Sequence, residues 1–387
     1  MVVVTINNFA TATGNESVDS VFVFLFPFNW VDEDVKRLKT VICAIPKLNV
    51  GLHTKALPEG KLPIEVLKPI LDSIRSNNLV VPPRIGIDVG ISKTHGKYLV
   101  SSSDPITGTD TMMGWHAVNV SANDVATSGI MPEVINVVSL FPNKTQVKEI
   151  NRVMAEINET ARGHGITVAG GHTEITPGLR NPIIVVTAFG SGSKFVTAAG
   201  AKSGDSIIMT KSAGLEGTSI LSRLRQVKKI VGPIISRSGS LMIRNISIVA
   251  DAGAAFGTNK IHAMHDVTEG GVLGAVLEMS LASNVGFDIN SESIPIENAT
   301  KVICEKLELD PLKLIGSGSL LIACAPSNSQ SVLTALSNRG IKATVIGEFI
   351  SKNKGRQIRI KGKRKIIKDP CIEDELWRAL RKYGNFS

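Results

Sequence analysis

Gly114-Trp115-His116-Ala117-Val118-Asn119-Val120-Ser121-Ala122-Asn123-Asp124-Val125-Ala126 is the stretch whose reading decides the fold. Its pattern predicts a helix over about 114–128, which Gly129 can terminate in a left-handed cap. Asn119 and Asn123 stand at i and i+4 on one face, with Asp124 beside them. They interrupt an otherwise apolar helix with a polar patch, which is either a solvated face or one wall of a site. The neighbouring segments decide between the two.

Upstream, a strand is expected at 98–102, then a loop through Ser103-Asp104-Pro105. Further up, Leu62, Val66, Leu67 and Ile70 recur at helical spacing. Downstream, the near-continuous apolar run at 134–140 reads as a buried strand. A helix follows from Thr145 as N-cap to Arg162, with Val147, Ile150, Met154, Ile157 and Ala161 along one face, and strands are expected at 166–169 and 183–189. The second half alternates again. A strand at 206–210 leads into a helix entered through Gly214 and Gly217, and a helix at about 241–256 precedes a strand at 261–264. The loop His265-Asp266-Val267-Thr268-Glu269-Gly270-Gly271 opens a helix carrying Val272, Val276, Leu277 and Met279. Strands at 320–323 and 344–346 flank a helix at 331–337, a hairpin turns at Lys361-Gly362, and a helix at 374–381 closes the sequence. The pattern is that of a mixed α/β protein. With 387 residues, two domains are favoured over one core. Their expected bounds are 60–200 and 201–350, after an extension of 1–59 and before a basic hairpin and terminal helix at 351–387.

Composition narrows the function classes. The net charge of +9 sits in one place, because residues 351–368 hold nine Lys or Arg and no acid. The remainder is neutral, so the high isoelectric point describes a local feature and not a nucleic-acid-binding surface. That segment also lacks aromatic residues for base stacking, and a solvated hairpin is the better reading. Four cysteines, Cys43, Cys304, Cys324 and Cys371, are widely spaced and form neither a zinc pattern nor a disulfide framework, which suits a cytoplasmic compartment. The apolar run at 21–28 is far short of the roughly 20 residues of a membrane span.

Acidic residues gather where glycine-rich turns are expected: Gly86-Ile87-Asp88, Ser103-Asp104-Pro105, Asn123-Asp124, Gly170-Gly171-His172-Thr173-Glu174 and His265-Asp266. Carboxylates at such places suit magnesium, which takes oxygen ligands and commonly bridges to substrate phosphates. Adjacent glycines let backbone N–H groups approach phosphate oxygens. Each element alone also has an ordinary reading as a turn or cap. His172 and His265 invite a general-base role, yet neither is assigned as a catalyst. No phosphate loop of the Gly-x-x-x-x-Gly-Lys type is present, nor a dinucleotide fingerprint, nor a serine nucleophile elbow.

Taken in order, these segments together with Gly204-Asp205 and Asp374-Glu375-Leu376-Trp377 resemble one superfamily, that of aminoimidazole ribonucleotide (AIR) synthase, the hydrogenase maturation protein HypE, selenophosphate synthetase and thiamine-monophosphate kinase. The likeness covers about residues 60–350 and is greatest to the HypE-like, AIR synthase-related branch. It implies a two-domain PurM-like fold whose N-terminal domain forms a β-barrel in a homodimer, with ATP and Mg²⁺ in the cleft before a C-terminal α/β domain. By position, Asp88, Asp104, Asp124 and Glu174 would hold Mg²⁺. Asp88, Asn123, Asp124, Gly170, Gly171, His172, Thr173 and Asp266 would contact the nucleotide. The implied activity is transfer or cleavage of ATP phosphate at a small carbonyl or amide acceptor; the alternative is a maturation or regulatory protein that binds ATP without turnover. Ile87 stands where the family often has a second acid, and Cys371 precedes a helix instead of ending the chain as the acceptor cysteine of HypE does.

Overall fold

The computed structural model describes residues 62–74, 79–107, 112–368 and 372–384. The expected extension at 1–59 and the thiols of Cys43 and Cys371 lie outside the described residues. After the helix α1 (Ile64–Ser73), the first half builds one six-stranded sheet from β1 (Leu79–Val81), β2 (Gly90–Thr94), β3 (Lys97–Ile106), β4 (Val134–Phe141), β5 (Thr167–Ile175) and β6 (Ile183–Gly192). The spatial order is β1-β2-β3-β6-β4-β5, and only the β4–β5 pair is parallel. Two helices, α2 (Met113–Thr127) and α3 (Val147–Gly163), belong to the same unit. Ala117, Val118, Ala122 and Val125 of α2 share a core with Ile135, Val137, Ile157, Val186 and Ala188. The alternating burial of β6 is what a sheet with one covered face requires. This sheet is open, with β1 and β5 at its edges, so no closed barrel forms among the described residues of one chain.

The second half builds a seven-stranded sheet from β7 (Ser206–Thr210), β8 (Ala263–Asp266), β9 (Gly286–Asn290), β10 (Leu320–Cys324), β11 (Ala343–Ile350), β12 (Arg356–Ile360) and β13 (Lys363–Ile366), in the order β13-β12-β9-β11-β7-β10-β8. Its helices are α4 (Leu215–Arg223), α5 (Arg225–Leu241), α6 (Val249–Gly257), α7 (Gly271–Ala282), α8 (Asn298–Leu307), α9 (Ser329–Ser337) and α10 (Glu375–Tyr383). Apart from the parallel β9–β12 pair, all its ladders are antiparallel. Val272, Val276 and Met279 of α7 pack against Ile207, Met209, Phe287 and Leu321 from the strands. The architecture is a mixed α/β arrangement of two sheets. No helix among the described residues is long and apolar enough to cross a membrane.

Several local expectations change. The loop expected at Asp104-Pro105 is strand, paired to β6 with Pro105 opposite Val185. Its other neighbour, β2, pairs only with residues 97–101 and leaves an open flank where the missing N–H of a proline does no harm. Gln146, not Thr145, occupies the N-cap of α3, and the Thr145 hydroxyl donates to the Pro142 carbonyl at 2.8 Å. The helix expected at 241–256 begins only at Val249, after a 3₁₀ turn at Met242–Asn245. The helix α5 was hidden by Gly232-Pro233, where the backbone kinks with φ 81° at Gly232.

Candidate active site

In a strand, side chains two apart point to the same face, so β3 presents Ser102 and Asp104 together. The Ser102 hydroxyl lies 2.7 Å from Oδ2 of Asp124 on α2 and 3.2 Å from Oδ2 of Asp104. One hydroxyl proton cannot serve both carboxylates, and the shorter distance marks Asp124 as the acceptor. Asp124 is buried, and its carboxyl is pushed well above the usual range, first by burial and then by the charges of Asp104, Asp266 and Asp88. The bond from Ser102 opposes that shift.

The second half contributes the end of β8. His265 is wholly buried there, with Nδ1 at 2.9 Å from Oδ2 of Asp88 and 3.6 Å from Oδ1 of Asp266. Nε2 stands 3.0 Å from Oε2 of Glu278 on α7. Burial by itself would hold this imidazole down. Asp88, Asp266 and Glu278 outweigh it and keep the ring well above its ordinary value. Carboxylate oxygens of Asp88 and Asp266 lie within 4.8 Å of each other beside this ring, close enough to share one ion, while the protonated ring itself has no lone pair to offer one. The turn carrying Asp88 lies against α7, since a Cβ on Gly86 would stand 2.7 Å from the Glu278 carbonyl oxygen. Only glycine fits that approach, which also has φ +72°.

The structure therefore gathers Asp88, Asp104, Asp124 and Asp266 from four separate segments. It directs other expected residues elsewhere. Asn123 donates to the Ile246 carbonyl at 2.7 Å and accepts from the Ile248 N–H at 2.8 Å, so its amide braces α2 against the turn before α6. Gly170, Gly171, His172, Thr173 and Glu174 are not a loop but part of the exposed edge strand β5. That edge is three ladders from β3, roughly 14 Å at the ordinary strand spacing. On it Glu174 accepts from Thr176 at 2.6 Å and pairs with His172 at 3.0 Å, contacts that hold its carboxyl below the usual value. Gly171 has a steric reason to be glycine, because a Cβ there would fall 1.7 Å from the Val137 carbonyl oxygen in β4. Ile87 packs against the apolar core of the second sheet.

Two members of the site were missed in the sequence, and both left a signal. Ser102 lies two residues before Asp104 on a strand, and Glu278 is the single acid in the apolar helix α7. Four carboxylates crowded in this way, with Asp124 held above the usual range by burial and its acidic neighbours, form a set of hard oxygen donors, which a divalent cation fits well.

Comparison with known proteins gives the same outline. The family described as AIR synthase related protein matches in both its parts, the N-terminal domain over residues 86–191 and the C-terminal domain over 202–359. Carbamoyl dehydratase HypE of Rhizobium leguminosarum bv. viciae is 26% identical over 279 residues, which covers 69% of this chain and 78% of that protein. The structure of a HypE–HypF complex aligns with a TM-score of 0.65 at 19% identity, covering 79% of this chain and 99% of the matched one. AaThiL complexed with AMPPCP and TMP aligns with a TM-score of 0.64, also at 19% identity, over 80% of this chain and 96% of that one. The two structural likenesses establish the fold.

Proposed function

This chain belongs to the AIR synthase related protein family, and we propose that within it the chain is an Mg-ATP-dependent enzyme that transfers or cleaves ATP phosphate at a small carbonyl or amide acceptor. The observation that carries the proposal is the convergence of Asp88, Asp104, Asp124 and Asp266 around Ser102 and His265. These carboxylates would hold magnesium, whose charge offsets what builds on a phosphoryl group in transfer. Ser102 fixes the Asp124 carboxylate, and His265 fixes Asp88 while Glu278 anchors the far side of the ring. The complex of AaThiL with AMPPCP and TMP supports a nucleotide in this fold, and the carbamoyl dehydratase activity of the HypE relative supports an amide-like acceptor.

The reading includes a homodimer. The first sheet is open, and its edge strand β5 is exposed along its whole length, which supports closure of a barrel by a second copy. In that assembly Gly170, Gly171, His172, Thr173 and Glu174 reach nucleotide or metal, as they do not within one chain. Isothermal titration with Mg²⁺ and a non-hydrolysable ATP analogue, followed by phosphorus NMR of ATP turnover over a panel of small amides and carbonyls, tests the proposal. Binding without turnover across the panel would favour a nucleotide-binding maturation or regulatory protein, and absence of binding would dismiss both.

A further inference from the structure

The turn that carries Asp266 into α7 is held from outside by the C-terminal segment. Its two glycines take left-handed backbone angles, φ +80° at Gly270 and +60° at Gly271. A Cβ on Gly271 would fall 2.6 Å from the Leu312 carbonyl oxygen, and one on Gly270 would fall 3.0 Å from that of Ile372. The turn is therefore wedged between two other stretches of chain. Asp374, only 4% exposed, sits beside it. Its Oδ2 accepts from the Gly270 N–H at 2.7 Å, and its Oδ1 accepts from the Leu376 N–H at 2.7 Å. One carboxylate thus caps α10 and at the same time grips the entry of α7. Trp377 adds a second link by donating its indole N–H to the Glu269 carboxylate. Leu376, Ala379 and Leu380 bury the other side of α10 among Leu221, Val227, Ile303 and Leu307, so the helix is a fixed anchor.

We propose that α10 is a clasp on the acid-bearing turn 265–271, with Asp374 as the positioning residue that sets where Asp266 stands. Capping α10 alone needs a single oxygen at the N-cap, which a serine supplies as well as an aspartate. The second oxygen holds the turn, and the same carboxylate is also within reach of the Ile315 N–H. Two carboxylate oxygens on two different segments are what a clasp requires and a cap does not.

The part of the inference that concerns metal rests on the function proposed above; the part that concerns the turn does not. The test is Asp374→Ser in the full chain, read by backbone hydrogen exchange and by Mn²⁺ affinity from water-proton relaxation. Exchange at residues 268–274 is expected to rise about tenfold or more, as leaving a buried N–H without its acceptor implies, while residues 376–383 keep their protection. Mn²⁺ affinity is expected to fall about tenfold with it. Unchanged exchange at 268–274 would overturn the clasp. If the serine variant does not fold, Trp377→Phe removes only the link to Glu269, and the same exchange readout decides, with unchanged protection again against the proposal. A wild-type protein that binds no Mn²⁺ would sink the metal reading of the site and leave the exchange result to judge the clasp.

Discussion

The Ser102 hydroxyl stands 2.7 Å from Oδ2 of Asp124, and through that contact a strand of the first sheet and the helix behind it hold one carboxylate in a buried, acid-crowded place. The arrangement is electrostatically unfavourable without a cation, since burial and three neighbouring acids all oppose ionisation of Asp124.

Replacing Asp124 by Asn should relieve that repulsion. The metal-free variant should melt a few degrees higher than the wild type, in line with roughly 1 kcal/mol of relief in a chain of this size. If the site holds Mg²⁺ as proposed, the wild type should melt higher with Mg²⁺ and the variant should not. Calorimetry with and without 10 mM-scale Mg²⁺ reads both effects, and equal metal stabilisation in the two proteins would remove Asp124 from the site.

The paired glycines on β5 separate a steric role from a binding one. Gly171→Ala should destabilise the fold by several kcal/mol, because its Cβ meets the Val137 carbonyl oxygen at 1.7 Å. Gly170→Ala should fold normally, since the nearest atom to its Cβ is Asn136 Oδ1 at 3.8 Å. A folded Gly170→Ala protein with weakened ATP affinity would support a phosphate path along β5; unaltered affinity would argue against one.

Asn123→Ala should act on stability more than on ligand. It removes two buried hydrogen bonds to the segment 246–248 and leaves their backbone partners unsatisfied, for about 2–4 kcal/mol in urea denaturation. A large loss of nucleotide affinity with unchanged stability would reverse this assignment.

Asp374 gives a pH dependence of known sign. Burial in the first place, and the Glu269 charge in addition, raise its carboxyl to about 7 against the N–H bonds it accepts. A carboxyl whose pKa is higher in the folded chain than in the unfolded one contributes stability below about pH 4 and loses it as pH rises towards 7. Over that window the contribution falls by on the order of 4 kcal/mol at most. Urea denaturation of the wild type and of Asp374→Asn across pH 4–8 checks it. The difference between the two proteins should change through this window and level off above it.

Much of this was legible from residue types alone. The helix α2, the strands β4 and β7, and the segments bearing Asp88, Asp104, Asp124 and Asp266 were found because glycine turns, apolar periodicity and clustered acids are local signals. The helix α5 was not, because Gly232-Pro233 reads as a break and only the packed second half shows that helix resuming beyond the kink. The Gly170–Glu174 segment was read as a loop because glycines usually mark turns. Here one of them instead lets two parallel strands approach, a reason that lies in the neighbouring strand and not in the segment itself. Glu278 and the grip of Asp374 on Gly270 join residues 13 and 104 positions from their partners, and no local pattern encodes such distances.

The hairpin of β12 and β13 forms one margin of the second sheet, and there Asp288 meets two of its arginines, Arg359 at 3.0 Å and Arg364 at 3.5 Å. The outermost strand, Lys363–Ile366, is exposed at every residue. A like-charged strand approaching this margin would meet a row of cations, so the hairpin repels the edge-to-edge stacking that seeds aggregates. Mutual repulsion between identical copies thus makes this margin a built-in safeguard against fibre growth.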